Sequence, residues 1–276
     1  MDEKCVDSRA THGGGGRLSG TSYLIKARKF VAGLLAHAEG KTLAALILIG
    51  SLSAAFVSLS DEVVEGDTRV IDTRILLALR DRADPTNPLG PPWVEEIGRD
   101  LTALGGVAVL AIVFVFAAGL LLLRGRRRTV GLVAVAVGGG LALSTLFKRG
   151  FDRPRPDLVP YGADVYTASF PSGHSMMAAI VWLTLAALMA RSEPRPAAKA
   201  WIMGVAGFVT VSVGLSRIYL GVHWPSDVLA GWTAGAAWAL GCLALARAMG
   251  RRGAIEPEAA DHPDRVSDRE GAPHEI

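Results

Sequence analysis

Residues 101–123 read LTALGGVAVLAIVFVFAAGLLLL, and residues 124–128 directly after them read RGRRR. The first stretch contains no ionisable side chain. Its length exceeds the roughly 20 residues a helix needs to cross the hydrocarbon core of a bilayer. A dense basic cluster at one end of such a stretch marks the end that stays cytoplasmic.

Five further apolar runs stand on either side of it, at 42–60, 129–147, 172–190, 200–215 and 228–246, the shortest being 200–215. The composition agrees: half of the 276 residues are hydrophobic and only 20% are charged, against about 25% in an average soluble domain. That balance excludes disorder over the whole chain. Six such runs are also too many to bury inside a soluble helical protein of this length. The expected fold class is therefore all-α, a polytopic membrane protein with six transmembrane helices. Gly138-Gly139-Gly140 would weaken a soluble helix, but in a membrane helix such residues permit close packing. The net charge of +3 does not point to nucleic acid, and two cysteines cannot build a disulfide framework or a multi-cysteine zinc site.

Lys and Arg set the expected orientation. Lys26, Arg28, Lys29 and Lys41 precede the first run, and Arg191, Arg195 and Lys199 separate the fourth from the fifth. Arg247, Arg251 and Arg252 follow the sixth. With six alternating helices, these groups share one side with the 124–128 cluster, so both termini are expected inside the cell. The loops 61–100, 148–171 and 216–227 are then outside. Within the first of them, Val64, Ile71, Ile75 and Leu79 recur at helical spacing, with Asp67, Asp72 and Arg74 between. The expectation is an amphipathic helix over 61–82 on the outer membrane surface. Residues 1–41 read as a flexible basic cytoplasmic segment, 42–250 as the membrane domain and 251–276 as a disordered acidic tail. The first run reads as a retained helix, because the segment before it is too long for a signal-peptide n-region. The wealth of Ala, Gly and Arg fits a bacterial inner or plasma membrane.

The outer loops should be poor in cations, yet they carry Lys148, Arg149, Arg153, Arg155 and Arg217. Charge placed against the topological bias implies an anionic ligand. Arg offers a fork that can hold two phosphate oxygens, and Lys a mobile point charge. Ser172 is a plausible N-cap of the fourth run. Gly173 and His174 then fall in the first turn, where free N–H groups and the helix dipole favour an anion. His223 and Asp227 stand four apart around Pro225, a residue suited to a first helical turn. Asp227 can fix the imidazole tautomer and leave the other nitrogen as a nucleophile. His174 is placed to protonate a leaving oxygen. These parts suit phosphoryl transfer through a phosphohistidine, with fixed cations in place of a metal.

Lys148-x6-Arg155-Pro156, Pro171-Ser172-Gly173-His174 and Ser216-Arg217-x5-His223-x3-Asp227 resemble the three-part signature of the type 2 phosphatidic acid phosphatase superfamily. The resemblance spans residues 148–227. It implies His223 as nucleophile, Asp227 as its orienting carboxylate and His174 as general acid. It assigns the phosphate to Lys148, Arg155, Arg217, Ser172 and the Gly173 N–H. It further implies a membrane phosphatase needing neither metal nor cofactor. The substrate would be a lipid phosphate or diphosphate in the bilayer, such as phosphatidic acid, phosphatidylglycerol phosphate or undecaprenyl diphosphate, with the site on the outer face. Phosphate transfer to another acceptor, vanadate-dependent halide oxidation and a non-catalytic lipid-binding role are the competing readings.

The remaining candidates take ordinary readings. His12, His37, His262 and His274 lie in the tails or on the inner side. Arg149 and Arg153 read as solvated or headgroup-contacting cations, Asp152 as a partner for a neighbouring Arg, and Asp100 as a helix-start carboxylate. Trp93, Trp201, Trp224 and Trp232 read as interfacial anchors.

Overall fold

The computed structural model describes residues 40–157 and 168–251. The N-terminal segment expected to be flexible, the tail expected to be disordered, Cys5 and the four tail histidines named above lie outside the described residues. Those described form eight helices: α1 (Gly40–Glu65), α2 (Arg69–Ala78), α3 (Pro92–Ala103), α4 (Val107–Leu123), α5 (Arg127–Gly150), α6 (Gly173–Ser192), α7 (Pro196–Tyr219) and α8 (Pro225–Arg251). Five of them, α1 and α5 to α8, are long and apolar enough to cross a membrane. The pair α3 and α4, bent by 46°, supplies a sixth crossing if taken as one broken span. The chain is an all-helical integral membrane protein.

Three elements differ from the sequence expectation. The stretch 101–123 is not one helix. Its first residues end α3, which starts at Pro92, and Gly105-Gly106 separates them from α4. Crowding accounts for the break. A Cβ on Gly105 would stand 2.5 Å from Val213 Cγ1 and 3.0 Å from the His174 carbonyl, while the Trp182 indole donates to the Leu104 carbonyl at 3.1 Å. Asp100 consequently lies near the end of α3 rather than at a helix start.

The surface helix over 61–82 is also interrupted. Residues 61–65 continue α1, the chain turns at Gly66 with φ of +90°, and only Arg69–Ala78 forms the separate helix. Ile71 and Ile75 face away from the protein, while Asp72, Leu76 and Arg80 are buried. The third difference is the run 200–215, which extends to the 24 residues of α7. Pro196 opens that helix at a position where its missing N–H costs nothing.

Helix α6 is the centre of the bundle and packs on α5, α7 and α8. Met176, Met177, Ile180 and Val181 form its buried core with Leu110 and Ala234. Close approach depends on glycine, as the sequence suggests. A Cβ at Gly139 would meet the Trp238 ring at 2.5 Å, and one at Gly140 would meet Ile180 Cδ1 at 2.4 Å. Gly214 is tighter still, since a Cβ there would stand 2.2 Å from the Trp232 ring. Trp232 is thus no interfacial anchor: it fills the α7–α8 contact and donates to the Thr210 carbonyl at 3.1 Å. Beyond α7, buried Arg80 donates to the Tyr219 carbonyl at 2.9 Å, and the Tyr219 hydroxyl donates to the Leu89 carbonyl at 2.7 Å. These bonds tie the segment after α2 to the end of α7.

Candidate active site

Four helix ends meet at one end of the bundle: α5 and α7 finish there, and α6 and α8 begin there. The sequence places a polar residue at each. Lys148 stands in the last turn of α5, Arg217 in the last turn of α7, Ser172 caps α6, and Asp227 lies in the first turn of α8. The segments between them add Arg155 and His223. All eight residues singled out from the sequence therefore gather at one place.

The start of α6 has the geometry expected of an anion site. The Ser172 side-chain oxygen accepts from the Ser175 N–H at 3.4 Å and from the Ser175 hydroxyl at 2.9 Å. Its own N–H donates to the Asp227 carbonyl at 2.9 Å, which fixes the start of α6 against the start of α8. A Cβ on Gly173 would lie 3.4 Å from Lys148 Nζ, so the missing side chain lets the ammonium sit against the first turn. His174 follows, within Coulombic range of Arg217, His223, Lys148 and Arg155.

His223 is buried, with 1% of its surface exposed. Its Nδ1 lies 3.3 Å from Asp227 Oδ2 and 3.3 Å from Ser169 Oγ. Its Nε2 lies 3.2 Å from Arg155 Nη1. A guanidinium can only donate, so Nε2 is the acceptor and Nδ1 carries the proton. Burial pushes the imidazole down to about 4, with Asp227 working in the opposite direction. At neutral pH His223 is therefore uncharged, with a lone pair on Nε2. Arg155 also donates to the Val222 carbonyl at 2.9 Å, and burial lowers its pKa against the pull of Asp227. Arg217 donates to Thr102 Oγ1 at 3.2 Å, and its buried Nε has no hydrogen-bond partner among the described residues.

Several polar neighbours escape the sequence reading. Ser169 is fully buried and donates to Asp227 Oδ2. Arg153 is neither a solvated nor a headgroup cation, since its side chain is only 10% exposed. Its Nη1 donates to Asp227 Oδ1 at 2.6 Å and to Ser226 Oγ at 2.7 Å. Its Nη2 donates to Asp72 Oδ2 at 2.7 Å and to Thr68 Oγ1 at 3.2 Å. The guanidinium also lies 5.6 Å from the centre of the Trp224 ring, whose Nε1 donates to the Pro154 carbonyl at 3.0 Å. Trp224 is thus part of the site wall. Asp72 accepts in turn from the Ser226 N–H at 2.9 Å. Arg149 and Asp152 are exposed. Two signals were available in the sequence. Arg153-Pro154-Arg155-Pro156 repeats its Arg-Pro pair, and Asp72 shares a helical face with Leu76 and Arg80.

Residues 128–251 match the PAP2 superfamily. The chain is 35% identical over 147 residues to phosphatidylglycerophosphatase B of Bacillus subtilis, covering 52% of this chain and 71% of that protein. It is 34% identical over 125 residues to an undecaprenyl-diphosphatase of Sulfolobus acidocaldarius, 42% of this chain and 55% of the relative, so it spans about half of that protein's length. Among solved structures it resembles a transmembrane PAP2-type phosphatidylglycerolphosphate phosphatase from Bacillus subtilis. That likeness has a TM-score of 0.62 and 28% identity, and covers 73% of this chain and 96% of the other.

Proposed function

Because the chain belongs to the PAP2 superfamily, and so to the phosphoric ester hydrolases, we propose that it removes a phosphate from a membrane lipid through a phosphohistidine formed at His223 Nε2. One observation carries this reading: His223 has its Nδ1 held by Asp227 at 3.3 Å and its Nε2 lone pair turned to Arg155 at 3.2 Å. The nucleophilic atom and the fork that would hold the phosphate are thus adjacent.

The reaction uses the residues as placed. The substrate phosphate lies among Lys148, Arg155, Arg217 and the first turn of α6. Nε2 attacks phosphorus while the bond to the lipid oxygen breaks, and His174 gives that oxygen its proton. Asp227 stabilises the positive imidazole formed at His223. Water then attacks the phosphohistidine, with His174 taking its proton, and phosphate leaves. The cations offset charge on the equatorial oxygens. They suit an anion rather than Mg²⁺, so activity should not depend on an added metal.

The substrate is a lipid phosphate or diphosphate. Phosphatidic acid, phosphatidylglycerol phosphate and undecaprenyl diphosphate are the candidates, and the names of the two relatives support the last two. Cations at the helix ends can meet a headgroup while the lipid chains stay in hydrocarbon, which avoids moving charge through the core. We place the site on the outer face and both termini in the cytoplasm. Phosphoenzyme trapping tests the chemistry. Wild-type protein given a lipid phosphate radiolabelled at phosphorus, then quenched in alkali, will carry label on the chain. His223→Ala will carry none. Equal labelling of the two would refute the assignment.

A further inference from the structure

We propose that Asp72 and Arg153 are positioning residues that act on His223 through Asp227, setting both the orientation and the proton affinity of the imidazole. This rests on the reading of His223 as the nucleophile. Neither residue belongs to the signature read from the sequence, and Asp72 lies outside the matched residues 128–251.

The three side chains form a buried line of alternating charge. Arg153 holds Asp227 at 2.6 Å through one nitrogen and Asp72 at 2.7 Å through the other. Their side chains are 0%, 10% and 3% exposed for Asp227, Arg153 and Asp72. Burying ions this deeply is strongly unfavourable unless every lone pair is matched. Here all four carboxylate oxygens are matched. Asp227 Oδ1 has Arg153, and Oδ2 has the Trp224 N–H, Ser169 and His223. Asp72 Oδ1 has the Ser226 N–H, and Oδ2 has Ser226 Oγ and Arg153. An apolar contact between α2 and α8 would serve packing alone at lower cost.

Asp72 therefore has two effects. It holds the first turn of α8 through Ser226, one residue before Asp227, which fixes where the carboxylate meets the imidazole. It also balances the charge of Arg153. Asp227 from α8, Arg155 after α5, Arg217 from α7 and His174 from α6 act on His223; Lys148 from α5 acts on Asp227, Arg153 after α5 pairs with Asp227, and Asp72 from α2 stands behind Arg153. Arg153 cancels part of the negative field that Asp227 exerts on the imidazole, and Asp72 restores part of it. Removing the two charges should shift His223 in opposite directions. With Asp72 neutral, the uncompensated guanidinium weakens the field and the imidazole binds its proton less. With Arg153 neutral, two carboxylates act unopposed and it binds its proton more.

The test compares the full-length wild type with Asp72→Asn, Asp72→Glu, Arg153→Gln and Arg153→Lys, on one lipid phosphate in mixed micelles. The acid limb of kcat/KM against pH is the main readout. Substrate titration is common to all five proteins, so displacements report the enzyme. The limb should move about one pH unit down in Asp72→Asn and about one unit up in Arg153→Gln. Arg153→Lys keeps the charge but lacks a fork that reaches both carboxylates, so its limb should stay near wild type while kcat falls. In each of these variants kcat should fall about tenfold or more, with KM changed less than about threefold. Asp72→Glu should return the limb to its wild-type place. If Arg153→Gln does not fold, the Asp72 pair still decides. In Asp72→Asn and Arg153→Gln, limbs that move the same way, limbs that do not move, or a rise in KM alone would overturn the proposal. Wild-type phosphoenzyme with unmoved limbs would overturn it while leaving the nucleophile in place, and absence of that phosphoenzyme would instead remove the reading beneath it.

Discussion

At the scale of single residues, Arg217 shows how the proposed phosphate cradle depends on a side chain with no chemistry of its own. Its guanidinium is held by Thr102 Oγ1 at 3.2 Å, and its Nε has no partner among the described residues. A hydrogen bond to a charged group contributes about 1.5–3 kcal/mol. Thr102→Val preserves shape and removes the acceptor, so Arg217 should lose its fixed direction. We expect KM for a lipid phosphate to rise about tenfold, equivalent to ~1.4 kcal/mol, with a smaller fall in kcat. An unchanged KM in Thr102→Val would mean that Arg217 is not placed through this contact.

At the scale of elements, the sequence is legible where structure is local. The apolar runs locate the spanning helices because about 20 uncharged residues admit few alternatives. Ser172, Pro225 and the four-residue step from His223 to Asp227 mark helix starts by chemistry contained within one turn. What stays hidden is whatever is decided by a distant neighbour. Arg153 reads as an ordinary loop cation because its partners are 81 and 74 residues away in Asp72 and Asp227. Ser169 is 58 residues from the carboxylate it meets. Asp72 is obscured differently. Ile71 and Ile75 advertise an apolar stripe, but the face turned to the protein is the one with Asp72, Leu76 and Arg80. The Gly105-Gly106 break is missed for the same reason, since Val213 and the His174 backbone create the crowding. Hydropathy alone reads straight through it.

At the scale of the whole molecule, the proposed orientation in the membrane rests on the basic loops. The loop after α2 is tied to the end of α7 that carries Arg217, so it reports the side on which the site lies. The turn between α4 and α5 reports the other side. In a background with Cys5 and Cys242 replaced by Ser, a membrane-impermeant maleimide added to intact cells should label Asp84→Cys and leave Arg124→Cys unlabelled until the cells are opened. The reverse pattern would turn the site towards the cytoplasm.

The break between α3 and α4 leaves α4 with 17 residues, about 25 Å of helix against a hydrocarbon core of about 30 Å. Alone it is too short; taken as one broken span with α3, from which it is bent by 46°, it gains the missing length. A thicker bilayer draws such a broken span upright, and a thinner one lets it fold down. Thr102 sits in the last turn of α3 and accepts from Arg217, so a change in that tilt would reach the proposed phosphate cradle. We therefore expect turnover to respond to bilayer thickness mechanically, without any bound effector. Turnover in vesicles of increasing acyl-chain length, at constant substrate mole fraction, should pass through a maximum; a flat response would show that the bend is rigid.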